Sequence, residues 1–206
     1  MSDREIRKKG LQLQRRELVA CAGGLAGMLA LGAAGAALKG DKTLIRPPGG
    51  QDEAAFLSLC IKCDRCRSVC PEGVIGVSTI FDGLVSMRTP VMDFRKGYCD
   101  FCKKCIDVCP TAALKPFSGQ SVKIGVAELT ESCIALRTGG CTKCFDVCPE
   151  LAITLNKQNA PIIDREACSG CGLCVKVCPA NVLQSYKGGK ERGIVIKSVA
   201  RQGGSR

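Results

Sequence analysis

The sequence predicts an α+β protein in which two small lobes follow an N-terminal helix, and three observations support this prediction. The 206-residue chain contains 17 cysteines but no histidine and no tryptophan. Sixteen of these cysteines recur in one spacing pattern, and the first forty residues differ in composition from the rest. Because few large aromatic side chains are present, we expect inorganic groups or cross-links to supply part of the stability. We place the domain boundary after residue 40, so that residues 41–206 form the cysteine-rich domain.

The N-terminal segment, residues 1–40, has the composition of an export signal or a membrane anchor. Residues 1–17 carry six basic and three acidic side chains, and residues 18–38 form an uncharged run in which thirteen of twenty-one residues are Ala or Gly. Such a run is long enough to span a bilayer but only mildly apolar. Residues 14–19, QRRELV, resemble the twin-arginine signal of proteins exported in the folded state. We expect either cleavage near Ala36 or Ala37 or retention as an anchor; a buried Ala/Gly-rich helix is the alternative.

Cys21 stands apart from the other cysteines. Residues 18–21, LVAC, superficially resemble a lipoprotein processing site. Such a site follows the apolar stretch of a signal, whereas this one opens it. We therefore interpret Cys21 as a small apolar residue of the N-terminal helix and leave it out of the candidate sites.

Four copies of one cysteine motif follow. Motifs 1, 2 and 4 have the spacing C-x2-C-x2-C-x3-C-P, and motif 3 has seven residues in its first spacer. The candidate ligands are Cys60, Cys63, Cys66 and Cys70 in motif 1, Cys99, Cys102, Cys105 and Cys109 in motif 2, Cys133, Cys141, Cys144 and Cys148 in motif 3, and Cys168, Cys171, Cys174 and Cys178 in motif 4. In such a motif three thiolates reach three corners of one [4Fe–4S] cube, and the fourth ligates the other cube of a pair. The motifs predict four [4Fe–4S] clusters.

Other cysteine chemistries explain the pattern less well. A disulfide framework suits an exported protein, but it gives no reason to repeat one register four times with a proline after each copy. Structural zinc uses two separated cysteine pairs for each tetrahedral site. A thiol redox site uses one isolated C-x-x-C pair, not overlapping triplets.

The segments between the motifs are typical of bacterial ferredoxin halves. Short strands are predicted before the later motifs, at residues 91–94, 124–126 and 161–164. The helical part of each unit is expected to be short and to follow the fourth cysteine of the partner motif. This predicts two ferredoxin-like lobes with two clusters each. The sequence leaves the pairing open: motif 1 with 2 and 3 with 4, or a nested pairing of 2 with 3 and 1 with 4.

The formal charge of +11 at pH 7 is typical of a nucleic-acid-binding protein, but it counts every cysteine as neutral. With sixteen thiolates and four cluster cores of roughly +2 each, the net charge falls to about +3. Without residues 1–40 it falls to about −1. We therefore expect no nucleic-acid partner.

The chain resembles the ferredoxin-type NapG/MauM family, which is associated with periplasmic nitrate reductase and methylamine utilisation. The resemblance rests on the twin-arginine segment, residues 44–49 (LIRPPG), the four motifs and above all the long first spacer of motif 3. It implies electron transfer at the outer face of the cytoplasmic membrane. The implied partners are a polytopic membrane iron–sulfur protein that oxidises quinol, and a c-type cytochrome or terminal reductase that accepts the electrons.

Two other function classes remain for comparison. One is the electron-transfer (beta-type) subunit of a molybdenum oxidoreductase, which the leader on this chain disfavours because such subunits often travel with a catalytic partner that carries the signal. The other is an enzyme in its own right. The sequence has no P-loop, nucleophile elbow or C-x-x-C-H haem site, and its unusual residues are used for ligation. We expect a non-catalytic electron-transfer protein.

Overall fold

The computed structural model describes residues 44–118, 122–180 and 192–199, together with Gly23, Gly24 and Gly27. The chain divides into two compact units, Met1–Gly40 and Asp41–Arg206. In the first unit the three glycines are helical and exposed; the rest of the predicted signal or anchor, with Cys21, lies outside the described residues. None of the helices in the described ranges has the length and apolar run that a bilayer crossing requires.

Lobe 1, residues 44–118, is built around one hairpin. Its elements are α1 (Glu53–Leu59), α2 (Arg65–Ser68), β1 (Ile75–Val77), a 3₁₀ helix (Ile80–Asp82), β2 (Pro90–Met92) and α3 (Lys104–Asp107). β1 and β2 are antiparallel, with the buried side chains of Ile75 and Met92 opposite each other. The Asp52 carboxylate caps α1 by accepting from the Ala55 N–H. The Met92 N–H donates to the Ile45 carbonyl at 2.8 Å, so the segment that enters the lobe lies beside this hairpin.

Lobe 2 comprises residues 122–180 and 192–199 and has two sheets. Its elements are β3 (Val126–Leu129), α4 (Ile134–Thr138), α5 (Lys143–Asp146), β4 (Ile153–Leu155), β5 (Pro161–Ile163), α6 (Leu173–Lys176) and β6 (Ile194–Lys197). β4 and β5 form a hairpin between motifs 3 and 4, as β1 and β2 do between motifs 1 and 2. The first and last strands, β3 and β6, pair antiparallel around the lobe's two motifs. In lobe 1 the corresponding ends meet through the Lys115 N–H and the Gly49 carbonyl, at 3.0 Å.

One apolar core runs through both lobes. It includes Phe56 and Leu114 of lobe 1 and Ile124, Val126 and Ile194 of lobe 2, all almost fully buried. The side chains are of moderate size, as expected from a composition with six Phe and no Trp. Buried cysteines belong to the same core, so the motifs are part of the packing.

The lobes also meet through polar and close-packed contacts. The Cys99 N–H of lobe 1 donates to the Cys171 carbonyl of lobe 2 at 2.8 Å. The Lys176 ammonium lies 3.5 Å from the Glu72 carboxylate and 4.8 Å from the centre of the Tyr98 ring. These contacts join segments that are about 70 to 100 residues apart in the chain, so they define how one lobe is placed against the other.

The predicted strands are confirmed near the expected places, whereas the helix predicted after the fourth cysteine is absent from motifs 1 to 3 in the described residues. Strands occur at Pro90–Met92, Val126–Leu129 and Pro161–Ile163, displaced by up to three residues from the predictions. Helices α2, α3, α5 and α6 lie inside the motifs and contain the third cysteine. After the fourth cysteine, the described residues are helical only at Ala180 of motif 4. The reason is that the C-x2-C-x3-C part of each motif is itself one helical turn, while in motifs 1 to 3 the chain enters a turn at the proline after the fourth cysteine.

Candidate iron–sulfur centres

The sixteen predicted cysteines converge into four groups of four, each formed by two motifs. Three groups each line a separate cavity. In the remaining group the thiols of Cys70, Cys102 and Cys105 interact electrostatically with one another or with Cys99. The groups are quartet 1 (Cys60, Cys63, Cys66, Cys109), quartet 2 (Cys70, Cys99, Cys102, Cys105), quartet 3 (Cys133, Cys141, Cys144, Cys178) and quartet 4 (Cys148, Cys168, Cys171, Cys174).

This grouping resolves the pairing that the sequence leaves open. Each quartet takes three cysteines from one motif and the fourth from its partner, as expected for paired cubanes. Cys109 of motif 2 completes quartet 1, and Cys178 of motif 4 completes quartet 3. The motifs are therefore paired sequentially, motif 1 with 2 and motif 3 with 4, and the nested alternative is excluded.

The three regular motifs share an unusual backbone conformation around the second cysteine. The residues on either side of that cysteine have φ angles between 56° and 81° in all three motifs. These residues are Lys62 and Asp64 in motif 1, Phe101 and Lys103 in motif 2, and Gly170 and Gly172 in motif 4. Left-handed residues turn successive peptide N–H groups toward one side of a loop and create a concave surface that favours negative charge. The same loop therefore serves three quartets, although only motif 4 uses glycine at these places.

Peptide N–H groups are directed at several of the sulfurs. Burial alone would raise the pKa of Cys109, but hydrogen bonds from the backbone of Leu114, Thr111 and Ala113, with the Thr111 hydroxyl, outweigh it and lower that pKa. The Ala127 N–H lies 3.5 Å from the Cys168 sulfur. Such donors stabilise thiolates and are one of the means by which proteins tune iron–sulfur potentials.

In every other thiol with a shifted pKa the value is raised, and burial is the main cause. Burial raises the pKa of Cys66 to about 11 and that of Cys99 to about 12. Burial and the charges of Cys66, Cys102 and Cys70 raise the pKa of Cys105 to about 12. Thiolates packed this closely need a positive group among them. A [4Fe–4S] core of roughly +2 supplies that charge, so the donor set fits the cluster.

The arrangement of the cysteines does not favour disulfides or a zinc site over iron–sulfur clusters. All sixteen cysteines are free thiols, and none takes part in a disulfide. Among the described residues, no three Cys, Asp or Glu side chains are arranged to share a single metal ion. A zinc site with Zn–S bonds of about 2.3 Å draws its sulfurs closer together than a cubane does, because each cubane ligand binds a different iron.

The long spacer of motif 3 is an ordered helix. Cys133 precedes α4, which fills most of the spacer and ends at Gly139 with φ of 63°. A Cβ at Gly139 would lie 2.6 Å from the Gln158 carbonyl oxygen, so glycine is required both by the backbone angle and by this contact. The helix returns the chain to Cys141, and Cys133 joins quartet 3 while it is 8% exposed.

The quartets follow one another in space in the order 1, 2, 4, 3. Cys66 of quartet 1 is close enough to Cys105 of quartet 2 that the charge of Cys66 raises the pKa of Cys105. The Cys99–Cys171 backbone hydrogen bond links quartets 2 and 4. The pKa of Cys174 in quartet 4 is raised by burial and by neighbouring thiols, among them Cys144 of quartet 3. Motif order along the chain therefore differs from quartet order in space.

Sequence reasoning missed the residues that support quartet 1. Arg46 is 3% exposed; its guanidinium lies 2.7 Å from a Glu53 carboxylate oxygen, 2.7 Å from the Thr89 hydroxyl and 2.9 Å from the Pro90 carbonyl. It also stacks 4.8 Å from the centre of the Phe56 ring. The only sequence signal was an arginine in the segment LIRPPG, which by itself does not distinguish a buried structural arginine from an exposed one.

Comparison with known proteins agrees with this arrangement. A model of the 4Fe-4S dicluster domain matches residues 59–113 and again residues 132–182, and these ranges hold motifs 1 and 2 and motifs 3 and 4. The chain is 34% identical over 183 residues to the ferredoxin-type protein NapG of Escherichia coli (strain K12), covering 79% of this chain and 78% of NapG. It is 28% identical over 143 residues to the ferredoxin-type protein NapF of the same strain, covering 68% of this chain and 82% of NapF.

A relative from a different system gives a similar match. The methylamine utilization ferredoxin-type protein MauM of Methylobacillus flagellatus is 35% identical over 182 residues, which cover 81% of this chain and 76% of MauM. Together with the quartets, these matches support an iron–sulfur electron carrier. The chain belongs to the ferredoxin-type NapG/MauM family of 4Fe–4S dicluster proteins.

Proposed function

We propose that this chain is an exported electron carrier whose sixteen motif cysteines hold four [4Fe–4S] clusters. The observation that supports this proposal best is the order of the quartets in space, 1–2–4–3, which makes one continuous series through both lobes. Helix α2 contacts α3 in lobe 1, α5 contacts α6 in lobe 2, and the Cys99–Cys171 backbone hydrogen bond joins the lobes. A bound [4Fe–4S] cluster supplies reversible one-electron oxidation and reduction. Separate clusters without contact between the lobes would give two independent carriers; a continuous series gives one carrier with two ends.

The chain's own residues hold, enclose and tune the four sites. The hydrogen bond from Cys99 to Cys171 fixes the distance between the two lobes at the middle of the series. Peptide N–H groups favour the charged sulfurs, and the apolar core around the buried cysteines keeps water out. Each quartet supplies four thiols, so every cubane iron has a protein ligand and no open position remains for a substrate. This supports a non-catalytic role.

The proposed location rests on the N-terminal segment, and the proposed partners rest on the resemblance to the NapG/MauM family. Residues 14–38 support export in the folded state by the twin-arginine route to the periplasmic face of the cytoplasmic membrane. We propose a polytopic membrane iron–sulfur protein that oxidises quinol as the donor, and a c-type cytochrome or terminal reductase as the acceptor. Quartets 1 and 3, the two ends of the series, are the places where these partners exchange electrons with the chain.

The first test is the iron and acid-labile sulfide content of the anaerobically purified chain. Four [4Fe–4S] clusters give about sixteen of each per chain, and the reduced protein gives magnetically coupled EPR signals. A value near eight, or bound zinc or paired disulfides in place of iron, would refute the four-cluster carrier.

Export is tested separately. Replacing both arginines of the signal, R15K and R16K, is expected to leave the chain with full iron in the cytoplasm, because the twin-arginine route depends on that pair. R4K with R7K is the matched control, since it makes the same exchange twice, keeps the charge of the segment and leaves the pair at Arg15 and Arg16 intact. Periplasmic accumulation of the R15K/R16K variant would contradict the proposed route.

A further inference from the structure

The connection between β1 and β2 is an exposed apolar loop with no counterpart in lobe 2. It comprises residues 78–89, twelve residues, whereas β4 and β5 are joined by the five residues 156–160. We call residues 78–89 the apolar loop. Phe81 is 83% exposed and Val85 71% exposed, and Ile80 and Leu84 are more than half exposed. The shorter turn of lobe 2, NKQNA, is polar.

The base of the apolar loop is fixed by a buried polar cluster. Ser78 is 3% exposed and Thr89 is fully buried, and their hydroxyl oxygens lie 3.1 Å apart. The Ser78 N–H donates to the Thr89 carbonyl at 2.9 Å, and Arg46 donates to the Thr89 hydroxyl at 2.7 Å. Because buried polar groups with full hydrogen bonding specify one arrangement, both ends of the loop are held in place.

The tip of the loop is ordered as well. Residues Ile80–Asp82 form a 3₁₀ helix, and the Asp82 carboxylate accepts from both the N–H and the hydroxyl of Thr79, at 2.8 and 2.9 Å. The order matters because a free apolar loop would fold back onto the protein surface. Here the backbone holds four large apolar side chains in water, and contiguous apolar surface of this kind marks an interaction site.

The apolar loop lies directly against quartet 1. The Lys62 ammonium donates to the Val85 carbonyl at 3.3 Å, and Lys62 lies between two quartet 1 cysteines, Cys60 and Cys63. Cys63 is one of the two exposed thiols among the sixteen. Ile61, beside Lys62, is 62% exposed and adds to the same apolar surface. A partner seated on this surface would be next to the ligand of an end quartet.

The surroundings of the loop are predominantly basic. Lys62, Arg65, Arg67 and Arg88 are exposed. Asp64, which lies 2.7 Å from Arg67, and Asp82 of the loop itself offset two of these four charges. Lipid surfaces attract basic side chains too, but a lipid surface neither gives nor takes electrons at the exposed end of quartet 1. A protein with an apolar socket ringed by carboxylates is complementary to the apolar loop in shape and to the surrounding basic side chains in charge. Unlike a lipid surface, such a protein can exchange electrons at quartet 1.

We propose that the apolar loop and Ile61 form the docking surface for one redox partner, a protein with an apolar socket and a carboxylate rim that exchanges electrons at quartet 1. This rests on the proposed carrier function. Insertion of Phe81 and Val85 into the socket supplies the affinity, and the basic side chains orient the partner and speed its approach.

The test measures electron exchange of the full-length, cluster-loaded chain in two anaerobic reactions. In one, washed cytoplasmic membranes with a short-chain quinol reduce the chain; in the other, the soluble periplasmic fraction oxidises the reduced chain. The variant is F81S/V85S, which changes only exposed side chains. The matched control is L151S, because Leu151 is also 83% exposed but lies in lobe 2 outside the loop. Reduction by dithionite, which needs no docking, reports the intactness of the clusters.

We expect F81S/V85S to slow one of the two reactions by about tenfold, with a hot-spot loss of this size being typical of central aromatic contacts. L151S should exchange electrons at the wild-type rate in both reactions. Dithionite should reduce F81S/V85S as fast as it reduces the wild type. R88Q should slow the same reaction at low ionic strength and lose its effect at high salt.

Three outcomes would overturn the docking surface. If F81S/V85S matches the wild type in both reactions, the loop docks no redox partner, while the carrier function stands. If the wild-type chain with full iron exchanges electrons in neither reaction, the carrier function fails and the docking surface with it. If F81S/V85S instead loses sedimentation with vesicles of phosphatidylglycerol and phosphatidylcholine, with both electron reactions unchanged, the loop binds lipid.

Discussion

Asp64 and Lys103 occupy the left-handed region, with φ angles of 65° and 64°, although this conformation suits glycine. Gly172 has the equivalent place in motif 4, with φ of 81°. The conformation is imposed by the cysteines on both sides, whose sulfurs must reach one cluster. A non-glycine residue costs about 1–2 kcal/mol in this region. The backbone of the ligand loops in lobe 1 is therefore strained, whereas in motif 4 glycine adopts the same conformation without this strain.

Replacing Asp64 tests this strain. D64G is expected to be more stable than D64A by about 1 kcal/mol, because both variants lose the ion pair with Arg67 and only glycine relieves the backbone. The measurement is the guanidinium midpoint at which the iron–sulfur absorbance and the helical signal are lost. Equal midpoints for the two variants would show that the loop relaxes without glycine.

Gly172 carries a second requirement besides its φ angle. A Cβ there would lie 1.9 Å from a carbon of the Phe94 ring, which belongs to the other lobe. Gly73 has φ of 60° but no neighbour within 4 Å of its Cβ position, so it is a matched control. G73A is expected to cost about 1 kcal/mol from the backbone alone, and G172A about 3 kcal/mol or more, because a ring must move. Similar costs for the two variants, measured by the same denaturation, would contradict a close contact between the lobes at this glycine.

At the scale of elements, the sequence predicted the two lobes better than it predicted the positions of the helices and strands within them. The spacing between the motifs predicted three of the strands approximately, because strand and turn residues are local signals. The helices inside the motifs were missed because a four-residue turn around Cys66 or Cys144 has no apolar periodicity to reveal it. The pairing of motifs and the burial of Arg46 depend on contacts between distant segments, which local patterns do not encode.

The helical spacer of motif 3 leads to a prediction for Cys133. C133S is expected to lose about a quarter of the iron and sulfide, because one quartet is left with three thiols while the other three quartets stay complete. C21S is the control and should keep full iron. Full iron and unchanged EPR spectra in C133S would remove this cysteine from the ligand set.

The β3–β6 sheet contains an ion-pair cluster that makes a small part of stability depend on pH. Glu128 lies 2.8 Å from the Lys197 ammonium and 3.3 Å from the Arg165 guanidinium. The hydrogen bond from Lys197 is the main cause that lowers the pKa of Glu128 below its usual value of 4.5, with the charges of Lys197 and Arg165 adding to it. A lowered folded-state pKa stabilises the protein above pH 4.5, and this contribution is lost as the pH falls through the folded-state value.

E128Q is therefore expected to be less stable than the wild type by about 0.5 kcal/mol at neutral pH, as is typical of an exposed pair. The difference should shrink as the pH is lowered below the usual carboxyl range, and it should be smaller at all pH values in a K197Q background. Denaturation curves of the four proteins in this cycle measure the coupling. A difference that grows on acidification would show that the carboxylate is destabilising in the folded state.

At the scale of the molecule, the two lobes differ in how far they cover their thiols. The exposed cysteines, Cys63 and Cys102, are both in lobe 1, whereas the described cysteines of lobe 2 are buried or half-buried. Lobe 2 closes its quartets with the β3–β6 sheet, and lobe 1 has only the hydrogen bond between Lys115 and Gly49 at the corresponding place. Oxidants and chelators in solvent therefore reach lobe 1 first.

We expect exposure to air to release iron from lobe 1 before lobe 2. Alkylation with iodoacetamide during the decay, followed by peptide mass spectrometry, should label the motif 1 and motif 2 cysteines earlier than those of motifs 3 and 4. Apo protein labelled in the same way is the control for intrinsic reactivity. Simultaneous labelling, or earlier labelling of lobe 2, would contradict a protective role for the β3–β6 sheet.

Sequential pairing has a consequence for how the protein is made. Each lobe takes all of its eight cysteines from one continuous stretch, ending at Cys109 for lobe 1 and at Cys178 for lobe 2. The ligand set of the first lobe is therefore translated in full before Cys133, the first cysteine of the second lobe, is reached. Its quartets can be filled without waiting for the C-terminus, although the core that the two lobes share forms only later. Nested pairing would leave the first motif with unfilled thiols until the last one emerged, so the observed connectivity shortens the time during which the nascent chain carries reactive sulfur.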